Sequence, residues 1–285
     1  ALLRRIAWLI IGGTKGEDWT NKLRAYLWAQ ILEKTKPRCV IGIQPDVGLC
    51  RAGKLKGVPV YDLQHGVIAE EHPTYGKKYR SEISSRDLPF GYLCWDEPSA
   101  KVLRTWTSEK GIDVKVIGDP WFSRFIFKKQ NDSLVNDAIN KGMIFNDNRP
   151  SILVSLAWGM EKFYKYDNFN GVMVDALEKT ILETADTYNW LLRLHHLQMR
   201  GPKKNSAQGY LKQTFGHLES IDWTICSSLA LPVVLQQIDL HISDLSTVVT
   251  EAGWMGVYSA LLNQNICPGG ILENYFAHEI DLGTT

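Results

Sequence analysis

The chain has 285 residues, with 32 basic and 31 acidic side chains and a net charge of +1. That length can bury a sizeable core and more naturally makes two domains than one, and the near-zero charge argues against a dominant nucleic-acid or anionic-membrane surface. Five cysteines (Cys39, Cys50, Cys94, Cys226, Cys267), odd in number and mostly in apolar strand-like surroundings, read as reduced thiols of a cytoplasmic protein rather than a disulfide frame or a zinc site. Leu2–Ile11 is too short, and too interrupted by Arg4 and Arg5, for a secretory signal, and no segment has the length of a membrane span. Because the chain starts at Ala1 and stops just after a loop-like stretch, it reads as part of a longer protein.

Taken in order, Ile6–Ile11 reads as a strand, Gly12–Gly16 as a flexible loop too short for a P-loop, and Asp18–Lys34 as a helix with Leu23, Leu27 and Ile31 at helical spacing. Cys39–Ile43 and Val58–Leu63 read as buried strands with a helix Gly48–Lys56 between them. Tyr92–Trp95, helix Pro98–Glu109 and Val114–Ile117 follow. Strands alternating with helices predict a parallel sheet, whose ligands bind at the strands' carboxyl ends. At one such end lies Asp62-Leu63-Gln64-His65-Gly66, with Glu70 and Glu71 shortly after. His65 suits a general base near neutral pH, and either Asp62 or His65 can be the buried orienting partner of the other.

The polar stretch Lys128–Pro150 reads as a helix plus an interdomain linker, which sets domains at 1–148 and 149–285. The second half restarts with strand Ser151–Leu156, ending at Ala157-Trp158-Gly159, and helix Val172–Tyr188. Strand Trp190–Leu194 contains Arg193 and delivers His195 and His196, and a helix near Ala207–Phe215 follows. A short strand Trp223–Cys226 leads to Ser227, then come helix Leu231–Gln237 and strand Leu240–Ile242. After that strand, Ser246 and Thr247 fall at a helix start, where hydroxyls and unpaired N–H groups suit a phosphate. Glu251, one turn on, suits the hydroxyls of a ribose. Gly159, His195, Ser227 and Ser246-Thr247 are thus expected at one rim, and the two halves as facing α/β domains with a cleft between. Adjacent histidines on an extended strand end would point to opposite faces, and no Cys, Asp or Glu lies at ligand spacing beside them, so no metal is expected.

The Leu-Gln-His-Gly turn at 63–66, Leu-Arg-Leu-His at 192–195 and Ser246-Thr247 with Glu251-Ala252 resemble the motifs of GT-B glycosyltransferases, nearest to bacterial sialyltransferases and Kdo transferases of capsule and lipopolysaccharide assembly. In that family an acidic-acidic-Gly motif lies in the first domain, and a His-Pro and a Ser-Ser/Thr motif in the second hold the CMP of the donor. His195 matches the His-Pro histidine, Ser246 and Thr247 match the Ser/Thr motif, and Gln64-His65-Gly66 falls where the acidic motif stands. His196 replaces the motif proline, which leaves either histidine open as the ligand. His65 replaces the carboxylate base, so direct deprotonation by histidine and a covalent route through Asp62, Glu70, Glu71, Asp119 or Glu161 both stay open. The resemblance implies two facing Rossmann-like domains and no cofactor besides the nucleotide-sugar donor, CMP-linked in this reading. It implies a saccharide acceptor, free or lipid-linked, and work in the cytoplasm or at the inner face of a membrane. A UDP-sugar transferase or epimerase, and a non-catalytic GT-B-like binding domain, are the alternatives.

Overall fold

The computed structural model describes residues 13–127, 131–157, 159–160, 169–200 and 202–285. The chain forms two units, one up to Asp119 and one from Pro120, each built on a parallel sheet. Among the described residues, no helix is long and apolar enough to cross a membrane.

The first unit runs α1 (Gly13–Thr35), β1 (Val40–Gly42), α2 (Val47–Lys56), β2 (Val60–Leu63), α3 (Lys77–Arg80), β3 (Gly91–Cys94), α4 (Glu97–Thr107) and β4 (Asp113–Val116), with sheet order β1-β2-β3-β4. Two of its helices, α2 and α4, start where the sequence supplies a side-chain cap. Asp46 accepts the Leu49 N–H at 3.1 Å, and Asp96 accepts the Ser99 N–H at 2.8 Å. The expected strand Ile6–Ile11 lies outside the described residues. Gly13–Gly16, expected as loop, are helical and open the 23-residue α1, which packs on α2. The approach is close: a Cβ on Gly48 would stand 2.5 Å from Arg24 Cβ. Leu88, Tyr92, Leu103 and Trp106 form the main core beneath β3 and α4.

The second unit contains α5 (Phe122–Ile126), α6 (Ser133–Ile139), β5 (Ser151–Ser155), α7 (Asp175–Thr184), β6 (Asn189–Arg193), α8 (Pro202–Phe215), β7 (Ile221–Asp222), α9 (Ile225–Ser228), α10 (Leu231–Leu235), β8 (Leu240–Ser243), α11 (Val248–Trp254), β9 (Ser259–Leu261) and α12 (Ala277–Asp281). Its sheet order is β7-β6-β5-β8-β9, all parallel. One face carries Ile152, Val154, Trp190, Leu192 and Ile242 against Leu177, Ile181, Leu211 and Phe215 of α7 and α8. The other carries Leu153 and Leu191 against Cys226, Leu229, Val234 and Ala252.

The described residues among 120–148, assigned from the sequence to the first domain and its linker, fall in the second unit. Phe122 joins the Leu153 cluster, and Phe125, Val135 and Ala138 close on Val233. Trp223–Cys226 is a helix entry rather than a strand. The Asp222 carboxylate takes the N–H groups of Thr224, Ile225 and Cys226, which turns the chain after two strand residues.

Candidate functional site

In the second sheet, β6 and β7 lie on one side of β5, and β8 and β9 on the other. The crossovers therefore leave β5 in opposite directions, and the carboxyl ends of β5 and β8 flank the crevice where doubly wound sheets hold ligands. Ser155 pairs in register with Arg193 on one side and Ser243 on the other. Register partners in parallel strands share a face, so these three polar side chains form a row at the carboxyl rim. Sequence reading gave a role to neither Ser155, which sits inside an apolar run, nor Ser243, which opens the Ser-Asp-Leu-Ser-Thr turn.

The row is braced from below. His241, fully buried, has Nδ1 2.8 Å from Ser259 Oγ and Nε2 2.9 Å from Ser155 Oγ. Burial pushes its pKa down to about 3, so the ring is neutral and offers one donor and one acceptor to the two hydroxyls. Ser243 is only 1% exposed, and its Oγ makes no hydrogen bond. Burial raises the next residue, Asp244, to about 6. Arg193 donates through Nη1 to the carbonyls of Cys226 and of Leu229, the latter at 3.0 Å. Burial lowers its pKa, opposed by nearby Cys226 and Glu251.

Around this floor stand the expected residues. Gly159 follows β5 with φ of +77°, a left-handed turn that favours glycine, and open space where a Cβ would point. Ser246 and Thr247 precede α11 and are partly exposed. Ser246 Oγ accepts the Val248 N–H at 3.3 Å, whereas the Thr247 side chain does not cap the helix, which has only seven residues. Loop placement rather than a strong helix dipole is what these hydroxyls offer.

His195 and His196 do not splay to opposite faces. The strand ends at Arg193, and a turn closed by Gln198 N–H on His195 O at 2.7 Å brings their rings to 4.1 Å. His195 Nδ1 accepts the Leu197 N–H at 3.3 Å, so a neutral ring carries its proton on Nε2. Burial, and then the charge of His196, lowers the His195 pKa. Ser227 is a brace: its Oγ donates to Trp223 O at 2.6 Å and accepts the Leu194 N–H at 2.9 Å, fixing the end of β6.

In the first unit, the carboxyl end of β2 separates the candidate groups by exposure. Asp62 is 4% exposed and accepts the Gln44 N–H at 2.9 Å, and burial raises its pKa to about 6. Gln64 is buried, with Nε2 on Gly66 O and Ser99 Oγ and Oε1 on the Trp95 N–H, so it fixes the turn that presents His65. His65 is exposed, with its pKa lowered by partial burial. Glu70 accepts the Lys77 N–H and the Thr105 hydroxyl, which ties it to the surface of α3 and α4. Glu71 has one buried carboxylate oxygen without a partner. Glu161 lies outside the described residues. Among the described residues, no three His, Cys, Asp or Glu side chains gather at metal-ligand spacing.

No family model matches the chain, and no curated protein does. Solved structures do. The UDP-GlcNAc 2-epimerase of Neisseria meningitidis, bound to UDP-GlcNAc, superposes at TM-score 0.56 with 16% identity, covering 85% of this chain and 64% of that one. The S. aureus MnaA–UDP structure gives 0.54 and 13% over 86% and 63%. The fold is of the GT-B type. The wall teichoic acid polymerase TagF is also similar, at TM-score 0.46 and 16% identity over 74% of this chain and 49% of TagF. The chain spans less than two thirds of each of these proteins. At such identities the likeness carries the GT-B part of the sequence reading and stops short of sialyl or Kdo transfer.

Proposed function

We propose that the protein is a nucleotide-sugar-dependent glycosyltransferase that binds its donor in the second unit and moves the sugar, Kdo-like or sialic-acid-like, from CMP to a bacterial surface saccharide. The observation that carries the reading is the polar rim at the β5/β8 switch point, where Gly159, His195, Ser246 and Thr247 end on one edge with Arg193 and Ser243 beneath. There the His195 Nε2–H and the two hydroxyls serve a phosphate, and Glu251 takes the ribose hydroxyls. Leaving-group charge is then met by fixed donors without a metal.

In the first unit His65 is the proton acceptor. Its lowered pKa keeps the imidazole neutral near pH 7, and its exposure lets it reach an acceptor hydroxyl. A double displacement is the weaker route, since Asp62 is buried and Glu70 is already bonded. The second reading is a UDP-sugar 2-epimerase, favoured by the likeness to the Neisseria meningitidis enzyme. Calorimetric titration with CMP and UDP tests the nucleotide, and release of CMP from a CMP-sugar against inversion at C2 of UDP-GlcNAc tests the chemistry. A protein that binds neither nucleotide would end both readings, and one that binds without turnover would be the non-catalytic binding domain.

A further inference from the structure

Two buried side chains at the carboxyl rim of the second sheet carry polar atoms that bond to nothing: Ser243 Oγ and Asn263 Nδ2. Ser243 ends β8 and is 1% exposed, and Asn263, shortly after β9, is 2% exposed. Ser243 is the register partner of Leu261, and the Leu262 N–H donates to Ser243 O at 2.9 Å, so the ladder runs on to the residue before Asn263. Leu262 packs in one cluster with Ile242, on the face that α7 and α8 cover. Alternation then puts Leu261 and Asn263 on the other face, which is also that of Ser243 and Ser155 and is covered in part by α11.

The amide of Asn263 is fixed in its sense. Its Oδ1 accepts the Asn265 N–H at 3.0 Å and the Asn265 Nδ2–H at 2.9 Å, which caps the short turn Gln264–Ile266. Only an oxygen can accept a backbone N–H, so the unbonded end is the nitrogen, a donor. A buried donor without a partner costs folding free energy and is rare in native proteins. Two of them lie here on neighbouring strands, at the end of a doubly wound sheet where ligands bind.

On the reading that a nucleotide sugar binds this rim, we propose that Ser243 and Asn263 form a notch that takes an uncharged acceptor oxygen of that ligand. Both groups are neutral donors, and the half-buried Asp244 follows Ser243. An anion there would be desolvated between neutral groups and beside a carboxyl, at a cost that two such bonds do not return. A carbonyl or hydroxyl oxygen meets both orphaned groups without that cost. A nucleotide sugar offers one from two sources, the pyrimidine base and the transferred sugar.

The test measures melting, and calorimetric affinity for CMP, UDP, CMP-N-acetylneuraminic acid and UDP-GlcNAc, on wild type, Ser243→Ala and Asn263→Asp. Ser243→Ala removes a hydroxyl that the ligand-free protein leaves unpaired, so it should melt no lower than wild type and yet bind roughly tenfold more weakly. Asn263→Asp keeps the oxygen that Asn265 bonds and replaces the donor by an acceptor, so its loss of affinity should be larger. Equal losses for nucleotides and nucleotide sugars would place the bound oxygen on the nucleotide. Losses confined to the nucleotide sugars would place it on the sugar. Unchanged affinity for all four ligands in Ser243→Ala would overturn the proposal, and a lowered melting temperature beside it would mark the hydroxyl as structural. If Asn263→Asp fails to fold, Ser243→Ala decides. A wild type that binds none of the four would instead remove the underlying reading, a distinct result.

Discussion

His241 Nε2 lies 2.9 Å from Ser155 Oγ, a bond between the two strands at which the strand order of the second sheet reverses. The imidazole, fully buried and pushed down to about 3, stays neutral in the folded protein and would protonate near 6.5 once unfolded. The unfolded state thus binds the extra proton between about pH 6.5 and 3. Stability from this group is complete above 6.5 and lost as the pH falls through that window, by on the order of 5 kcal/mol. Melting of the wild type across pH should show this acid loss, and His241→Gln should flatten it. His241→Ala should cost about 3–5 kcal/mol at pH 7, since it leaves a cavity and two buried hydroxyls unpaired.

Asp62 runs in the opposite sense. Its folded pKa of about 6 lies above that of a free carboxyl, so the folded state holds the proton more tightly between about pH 4 and 6. Stability therefore falls as the pH rises through that window, and the cost is complete above it. Asp62→Asn, whose amide oxygen can still accept from Gln44, is expected to stabilise the first unit at pH 7.5 by up to about 3 kcal/mol and to do nothing below pH 4. Chemical denaturation at the two pH values checks it. A destabilised variant at pH 7.5 would mean that the Gln44 N–H and the Arg80 charge compensate the carboxylate fully.

Ser246 and Ser227 were read alike from the sequence, and the structure gives them opposite consequences. Ser246 is partly exposed with one long bond, so Ser246→Ala together with Thr247→Ala should leave stability within about 1 kcal/mol and weaken nucleotide binding tenfold or more. His195→Ala should resemble that pair. Ser227→Ala removes a buried brace between Trp223 and Leu194 and should cost about 1–3 kcal/mol of stability. Melting and calorimetry on the same preparations separate the two classes.

What was legible in the sequence is what short-range chemistry determines. The helices expected at Gly48–Lys56 and Pro98–Glu109 form there, capped by Asp46 and Asp96, and the apolar run from Ser151 forms a central strand. His241 was invisible as a structural pivot because its partners stand 86 and 18 residues away on neighbouring strands. For the same reason Lys128–Pro150 read as a helix and linker: Val135 and Ala138 pack on Val233, which comes later in the chain. The approach of the His195 and His196 rings depends on where β6 stops, which Ser227 bonding Leu194 from later in the chain fixes together with the local turn closed by Gln198. Element type was local, and the roles of polar residues were not.

The final expectation concerns His65. It is exposed after β2, on a turn that Gln64 fixes through three hydrogen bonds. Removing the imidazole should therefore leave the turn intact. As the proton acceptor of the transfer, His65→Ala or His65→Asn should lower turnover by roughly 10²–10⁴-fold while nucleotide affinity, which belongs to the second unit, stays nearly unchanged. The pH profile gives a second readout. Partial burial lowers the His65 pKa below that of a free imidazole, so wild-type activity should show an acid limb displaced downward, and that limb should vanish from the residual activity of the variants. Full turnover in His65→Asn would remove His65 from the chemistry. Loss of activity in Asp62→Asn, with a sugar adduct on Asp62 in wild type by mass spectrometry, would transfer the reaction to the buried carboxylate.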